Sequence, residues 1–545
     1  MAPKHIKNIL SKNKVYNISS TVDNNITESK ETQIPTGDVY NADFETAISA
    51  TKFGKFNVLL FLLSIPAGWT SMLETTTMSY VFPAAHCDLG LSLNERGSLN
   101  AITFVGMVSS GFVWGFLCDT LGRRKLMVIG YLLDAVFVVM SSFSQNFTLL
   151  LIFKFFGGLI INGPFAALTA YLSEFHCSKY RSRVQLVRGM IVSGGNLVLP
   201  LLAWAILPQE INLNLFNQNI EFHSWNIYLL LSGIAPIISA IIFLFMPESP
   251  KFLMTVGQND KALRVFQKVY SVNTGNGIHT YPIKELVDEI ELKKHNPSNH
   301  GGQVTANRSK IQALKEGWQQ MKPLFFPPYF KNIVLLCLIQ TLIMMSLNTL
   351  RLWLPQIFQA INDFQYFNNG TTSDLCEMLK MIKPSIATDE CIVNLNNSSV
   401  YINSIIVASV SMFSYFLAGY LINTLGKKKL LNLVTVISGS FAIAIYFATD
   451  NITAVAFSSI FIATGSIASN VMVTVIIDLF PTTLRTTTIS LAMMLGRIGA
   501  MIGNLVFPFL LQTGCAPPFL SVGLVILGCA FLALLLPNTD LKALE

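Results

Sequence analysis

Hydrophobic residues in this chain gather into long unbroken runs rather than into the alternation that marks a half-buried strand. Twelve runs, at about 57–83, 98–118, 126–144, 147–173, 186–206, 225–246, 331–358, 400–422, 430–448, 453–477, 488–511 and 517–537, are roughly 20 residues long each, the length a helix needs to cross a hydrocarbon core. The pattern predicts an all-α membrane protein of twelve transmembrane helices, divided into six-helix bundles at 53–247 and 331–537 by a polar cytosolic linker, 248–330. Residues 1–52 carry Ser, Asn and Thr clusters and are expected to form a disordered cytosolic terminus without a secretory signal; 538–545 is a cytosolic tail. Within the linker, Leu286, Ile290 and Leu292 give 283–294 the apolar stripe of a short helix.

Two patterns occur twice, and their offsets agree. Gly115-x3-Asp119-x2-Gly122-Arg123-Arg124 is answered by Gly419-x3-Asn423-x2-Gly426-Lys427-Lys428, and 419 minus 115 is 304. Glu174-x6-Arg181 is answered by Asp478-x6-Arg485, and 478 minus 174 is again 304. A fixed-period echo over half a chain marks duplicated architecture, which secondary transporters use. Asn57 and Asn332 head the two halves only 275 apart, so 29 residues have been inserted after the seventh run, where the loop 359–399 lies. The glycines are expected to let helices two and eight approach a neighbour closely. Arg181 and Arg485 are expected to pair with the Asp119-like or Glu174-like carboxylates and hold the bundles shut on the cytosolic side. Asn423, lacking the charge of Asp119, weakens the second latch.

Charge reports topology. With the N-terminus in the cytosol, about 31 of the 37 Lys and Arg fall on the cytosolic side, as the positive-inside rule requires. The net charge of +7 is thereby explained without a nucleic-acid partner. On the other side, the 359–399 loop carries glycosylation sequons at Asn369, Asn396 and Asn397. Cys376 and Cys391 bracket its middle and are expected to form a disulfide in an oxidising lumen, with Cys87 and Cys515 as the other outward-facing partners. No cysteine pair has metal-ligand spacing, and there is no Walker-type loop or HExxH, so neither metal, cofactor nor enzyme activity is expected.

The Gly115-to-Arg124 run resembles the signature of the major facilitator superfamily, and Pro247-Glu248-Ser249-Pro250-Lys251-Phe252-Leu253 resembles a motif of its sugar porters and organic-ion transporters. The first helix, from Phe53-Gly54-Lys55-Phe56 through Leu73-Glu74-Thr75 to Val81-Phe82-Pro83, and the glycosylated loop are similar to those of the synaptic vesicle glycoprotein 2 family and its insect relatives. The resemblance covers about residues 45–537 and implies a two-bundle fold working by alternating access in a plasma or vesicle membrane. In that fold helices one, four, seven and ten line a central cavity.

Charges inside membrane helices are costly and therefore informative. Glu74 in helix one and Arg351 in helix seven stand near duplicated positions, since 74 plus 275 is 349; they are expected to face each other across the substrate path. Arg497, in Leu495-Gly496-Arg497-Ile498-Gly499, resembles an organic-anion transporter motif whose arginine contacts substrate. Lys154, Asn162, Asn348 and Asn470 complete the candidates, and Asp134 reads as structural. Glu74 also differs from its models: the vesicle glycoproteins carry a second acid three residues earlier, where this chain has Ser71, so the coupling ion stays open. The expected function is a solute carrier for a small organic ion or polar metabolite. The alternative is a transport-inactive scaffold or receptor whose 359–399 loop meets protein partners.

Overall fold

A computed structural model describes residues 41–209, 211–215, 220–288, 322–369, 371, 373–382, 398–480 and 482–537. Its long helical segments, called spans one to twelve in chain order, are Lys55–Thr76, Leu93–Leu121, Arg123–Ser142, Phe147–Glu174, Ser178–Ile206, Ser224–Phe245, Phe330–Phe367, Ser399–Leu425, Lys427–Phe447, Asn451–Leu479, Thr482–Thr513 and Ala516–Leu534; among the described residues, eleven of them, all but Leu93–Leu121, hold a stretch long and apolar enough to cross a membrane. Their sequences are apolar all round, and the faces turned outward stay rich in Leu, Ile, Val and Phe, as at Leu62, Val136, Ile241, Phe413 and Leu524. Such surfaces belong against lipid tails. This is a multi-pass membrane protein.

Packing repeats with a shift of six spans. Span one lies on five and seven on eleven; two on four and eight on ten; three on six and nine on twelve. The two bundles meet where span two packs on eleven and span five on eight. Span one continues through Thr77, itself in helical conformation, into Met78–Ala84, which packs on span seven. Close crossing is set by glycine where spans two and four meet. A Cβ on Gly106 would lie 2.3 Å from the Phe155 carbonyl oxygen, and one on Gly158 would lie 2.1 Å from that of Thr103. Gly115 and Gly419, expected in this role, have room: a Cβ there meets nothing within 4 Å.

Three expectations outside the spans are corrected. Residues 44–50 of the supposedly disordered terminus form a helix, Phe44–Ala50, capped by Asp43, whose Phe44, Ala47 and Ile48 bury against Phe266 and Tyr281 of the linker. The linker segment predicted to be helical is extended over 283–288, because Ala42 pairs with it. Ala42 donates to the Glu285 carbonyl at 3.0 Å and accepts from Val287 at 3.0 Å. Residues 289–294 lie outside the described ones. Third, Cys376 is bonded to Cys515, at the head of span twelve, rather than to Cys391. The helical turn Leu375–Met378 packs Leu375 and Met378 into the core of the second bundle beside Cys515, which fixes the partner. Cys391, Asn396 and Asn397 lie outside the described residues, while Asn369 is exposed.

Candidate functional site

Each bundle carries a braced turn at one end. Gly122 and Gly426, at φ of 88° and 78°, turn the chain between spans two and three and spans eight and nine, a backbone state that favours glycine. Basic residues follow immediately. Arg123 Nη2 lies 3.2 Å from Glu174 Oε1 at the end of span four, and Lys427 pairs with Asp478 at the end of span ten. Since 123 plus 304 is 427 and 174 plus 304 is 478, the ion pair obeys the sequence repeat. Arg124 donates to the Phe243 carbonyl at 3.3 Å and to that of Leu244, and Lys428 donates to that of Leu536. Cations thus cap the carboxyl ends of spans six and twelve, where carbonyls lack helical partners. In the first half Glu248 adds a third strut, one Oε1 accepting from the backbone N–H groups of Arg123 (3.0 Å), Arg124 (3.0 Å) and Ser249 (2.9 Å). The Ser249 hydroxyl donates to Glu174.

These pairs differ from the expected latch. Arg181 pairs with Glu45 of the terminal helix, and Asp478 takes Lys427 rather than Arg485. The turn cation projects directly at the neighbouring helix end, whereas Arg181 and Arg485 are each the fourth residue of the next span, about one turn in. Each pair therefore stays inside one bundle. The side chains of Asp119 and Asn423 lie outside the described ones.

Between the bundles lies a cavity of about 230 Å³, lined by spans one, five, seven, eight, ten and eleven with smaller contributions from two and four. Arg351, Arg497, Asn348 and Asn470 line it, with Asn162 outside the lining, and Tyr80 and Tyr415 supply hydroxyls. Arg351 Nη2 donates to Asn348 Oδ1 at 2.6 Å, and its Nη1 lies 3.8 Å from Met72 Sδ on span one. Arg497 donates to Asn162 Oδ1; Asn162 commits its amide to the Met107 carbonyl at 3.0 Å, which points the oxygen at the guanidinium. Asn470 donates to the Tyr415 hydroxyl at 3.1 Å.

Glu74 is elsewhere. Ser71, Met72, Thr75 and Thr76 form the cavity face of span one, and at about 100° per residue Glu74 falls on the opposite side. There its Oε1 meets Lys154 Nζ of span four at 3.1 Å, both side chains 2% exposed. Gly157 makes the room, since a Cβ at that position would lie 2.3 Å from Glu74 Oε1. The expected Glu74–Arg351 confrontation does not form, and Lys154 leaves the cavity with Glu74. Asp134, fully buried on span three, is within electrostatic reach of this pair rather than on an outer face.

Sequence reasoning missed Arg188. It sits inside the fifth apolar run, close enough to the start to read as an interfacial anchor, yet span five begins ten residues earlier, at Ser178. The residue is thereby carried into the cavity wall, its Nε donating to Gln185 Oε1 at 2.9 Å and its guanidinium 5.5 Å from the Phe165 ring centre.

The model of the major facilitator superfamily matches residues 65–382 and 378–544. Synaptic vesicle glycoprotein 2B of Rattus norvegicus is 26% identical over 333 residues, covering 59% of this chain and 48% of that protein. Synaptic vesicle glycoprotein 2C of Mus musculus is 24% identical over 334 residues, covering 59% and 45%. The chain spans about half the length of the curated relatives it matches. Among solved structures, the inward open xylose transporter XylE from E. coli superposes with a TM-score of 0.62 at 14% identity, covering 89% of this chain and 98% of that one. With most of its length under the family model and the six-span packing repeat in its fold, the chain belongs to the major facilitator superfamily.

Proposed function

We propose that this protein is a membrane transporter that carries a small organic ion or polar metabolite by alternating access, with its basic turns and both termini in the cytosol of a plasma-membrane or vesicle-membrane protein. The observation that supports this most is the cavity itself: it is walled by both bundles, and its charged side chains come from both, Arg188 from the first and Arg351 and Arg497 from the second. A rocking of one bundle against the other opens such a site to alternate sides. A scaffold has no use for uncompensated charge on a solvent-sized cavity at mid-membrane, so the cavity favours transport over display of the 359–399 loop.

The braced turns fit this reading as stiffeners that keep each bundle rigid while it moves. Ties between the bundles stand at the opposite end, where Arg96 Nη1 of span two donates to Gln356 Oε1 of span seven at 3.2 Å and Gln512 of span eleven donates to Asn94 of span two at 3.1 Å. Uptake of radiolabelled organic acids, amines and sugars into proteoliposomes tests the proposal. A saturable flux for one class that is lost on substituting Arg351 supports it; absence of flux for every class, with a folded protein, sinks it.

A further inference from the structure

We propose that the cavity takes an amphiphilic organic anion, one whose carboxylate or sulfonate is bound by Arg188, Arg351 and Arg497 while its apolar body fills the rest; the inference rests on the transporter reading above. Three guanidinium groups from three different spans line one small cavity, and no carboxylate lines it among the described residues. The acid that would have balanced one of them, Glu74, is committed to Lys154 on the far face of span one. What the arginines do bond is neutral: Asn348 for Arg351, Asn162 for Arg497 and Gln185 for Arg188, each through an amide oxygen. An amide oxygen satisfies one N–H and cancels no charge, and each guanidinium has five N–H groups. Arg351 Nε is buried without a hydrogen-bond partner.

Those three amides also orient the arginines before any ligand arrives, since each side chain is held by one donor while others stay available. Planar donor forks held in this way suit carboxylate and sulfonate oxygens. A cationic solute would meet three like charges with no acid to receive it, and a neutral sugar would leave all three uncompensated in a low-dielectric site. The remaining wall argues against a bare inorganic anion. Phe104, Phe358, Met344, Leu347 and Ile462 supply apolar surface that only an organic body covers.

The test uses the full chain in uncharged detergent at low salt, with probes matched for shape: 4-phenylbutyrate, 4-phenylbutyramide and 4-phenylbutylamine, with xylose and inorganic sulfate beside them. The butyrate is expected to raise the melting temperature saturably, because selective binding to the folded state stabilises it. The amide, amine, sugar and sulfate are expected to fall at least tenfold behind in half-saturating concentration. Arg351→Gln, Arg188→Gln and Arg497→Gln should each weaken the butyrate at least tenfold, and Arg351→Lys, which keeps the charge, should weaken it less than Arg351→Gln. The wild-type comparison of butyrate with its amide needs no variant and stands even where a variant fails to fold. Equal shifts from amide or amine, a preference for sulfate, or a butyrate shift unchanged in all three glutamine variants would overturn the anion assignment. A shift from xylose or the amine alone would overturn it while leaving the transporter reading intact, because flux of that class into proteoliposomes would still be measurable. Silence from every probe overturns it as well, and absence of flux for every class then takes the transporter reading with it.

Discussion

With both side chains of Glu74 and Lys154 2% exposed, neither charge has water to receive it once the other is gone. Glu74→Gln alone should therefore cost about 3–5 kcal/mol in folding free energy, and Glu74→Gln with Lys154→Met should cost less than the two single changes summed. Denaturation of the four proteins in detergent closes that cycle. His86, between spans one and two, gives a pH dependence of known sign. Its Nδ1 lies 2.7 Å from Arg96 Nη2, a contact that needs an unprotonated nitrogen. Burial, and then the Arg96 guanidinium, hold the imidazole below its ordinary value of 6.5. The folded state thus resists a proton that the unfolded state accepts, so stability is intact above about pH 6.5 and falls as the pH drops below it. Melting measured from pH 7.5 to 5 should drop more steeply in wild type than in His86→Gln. At this scale the sequence was a partial guide. Arg351 and Arg497, singled out as intramembrane charges, line the cavity, but burial alone does not say which way a helix is rotated. That rotation sent Glu74 to Lys154 and brought Arg188 in.

Elements carry the duplicated braces, and the two halves are braced unequally. Lys427 and Asp478 are 32% and 27% exposed, so Asp478→Asn should change stability by less than about 1 kcal/mol. Glu248 receives three backbone N–H groups, and Glu248→Ala should cost about 2–3 kcal/mol because those donors are left without the carboxylate. Thermal melts of the two variants beside wild type decide the order; a larger loss for Asp478→Asn would contradict it. Span positions were legible because twelve runs of helix-crossing length admit few alternatives. The linker was less so. Ile283 and Leu286 are buried as a helical stripe would have them, but pairing with Ala42 made the backbone extended, and nothing in residues 283–294 announces a partner some 240 positions earlier. The strands Asn212–Leu215 and Ile220–His223, a hairpin between spans five and six, were likewise silent in the pattern.

For the whole molecule, the repeat offset was the strongest clue, and it holds position for position in the Arg123–Glu174 and Lys427–Asp478 pairs. What it could not tell was whether repeated pairs join two bundles or brace one, because a period fixes equivalence and not adjacency. At the end away from the basic turns, the ties that cross between bundles, Arg96 to Gln356 and Gln512 to Asn94, obey no repeat. Arg96→Ala with Gln512→Ala should loosen that end. A cysteine placed at Ser404, in the cavity wall, should then react several-fold faster with an impermeant maleimide applied from that side. An unchanged rate would show that packing alone keeps the end closed. The Cys376–Cys515 bond has one further consequence. Cutting after the exposed Lys380 severs the backbone between residues 1–380 and 381–545, yet each piece keeps one of the bonded cysteines. A nicked molecule should migrate in a denaturing gel as one band without reductant and as two with it, so intact size on a non-reducing gel is no proof of an intact chain.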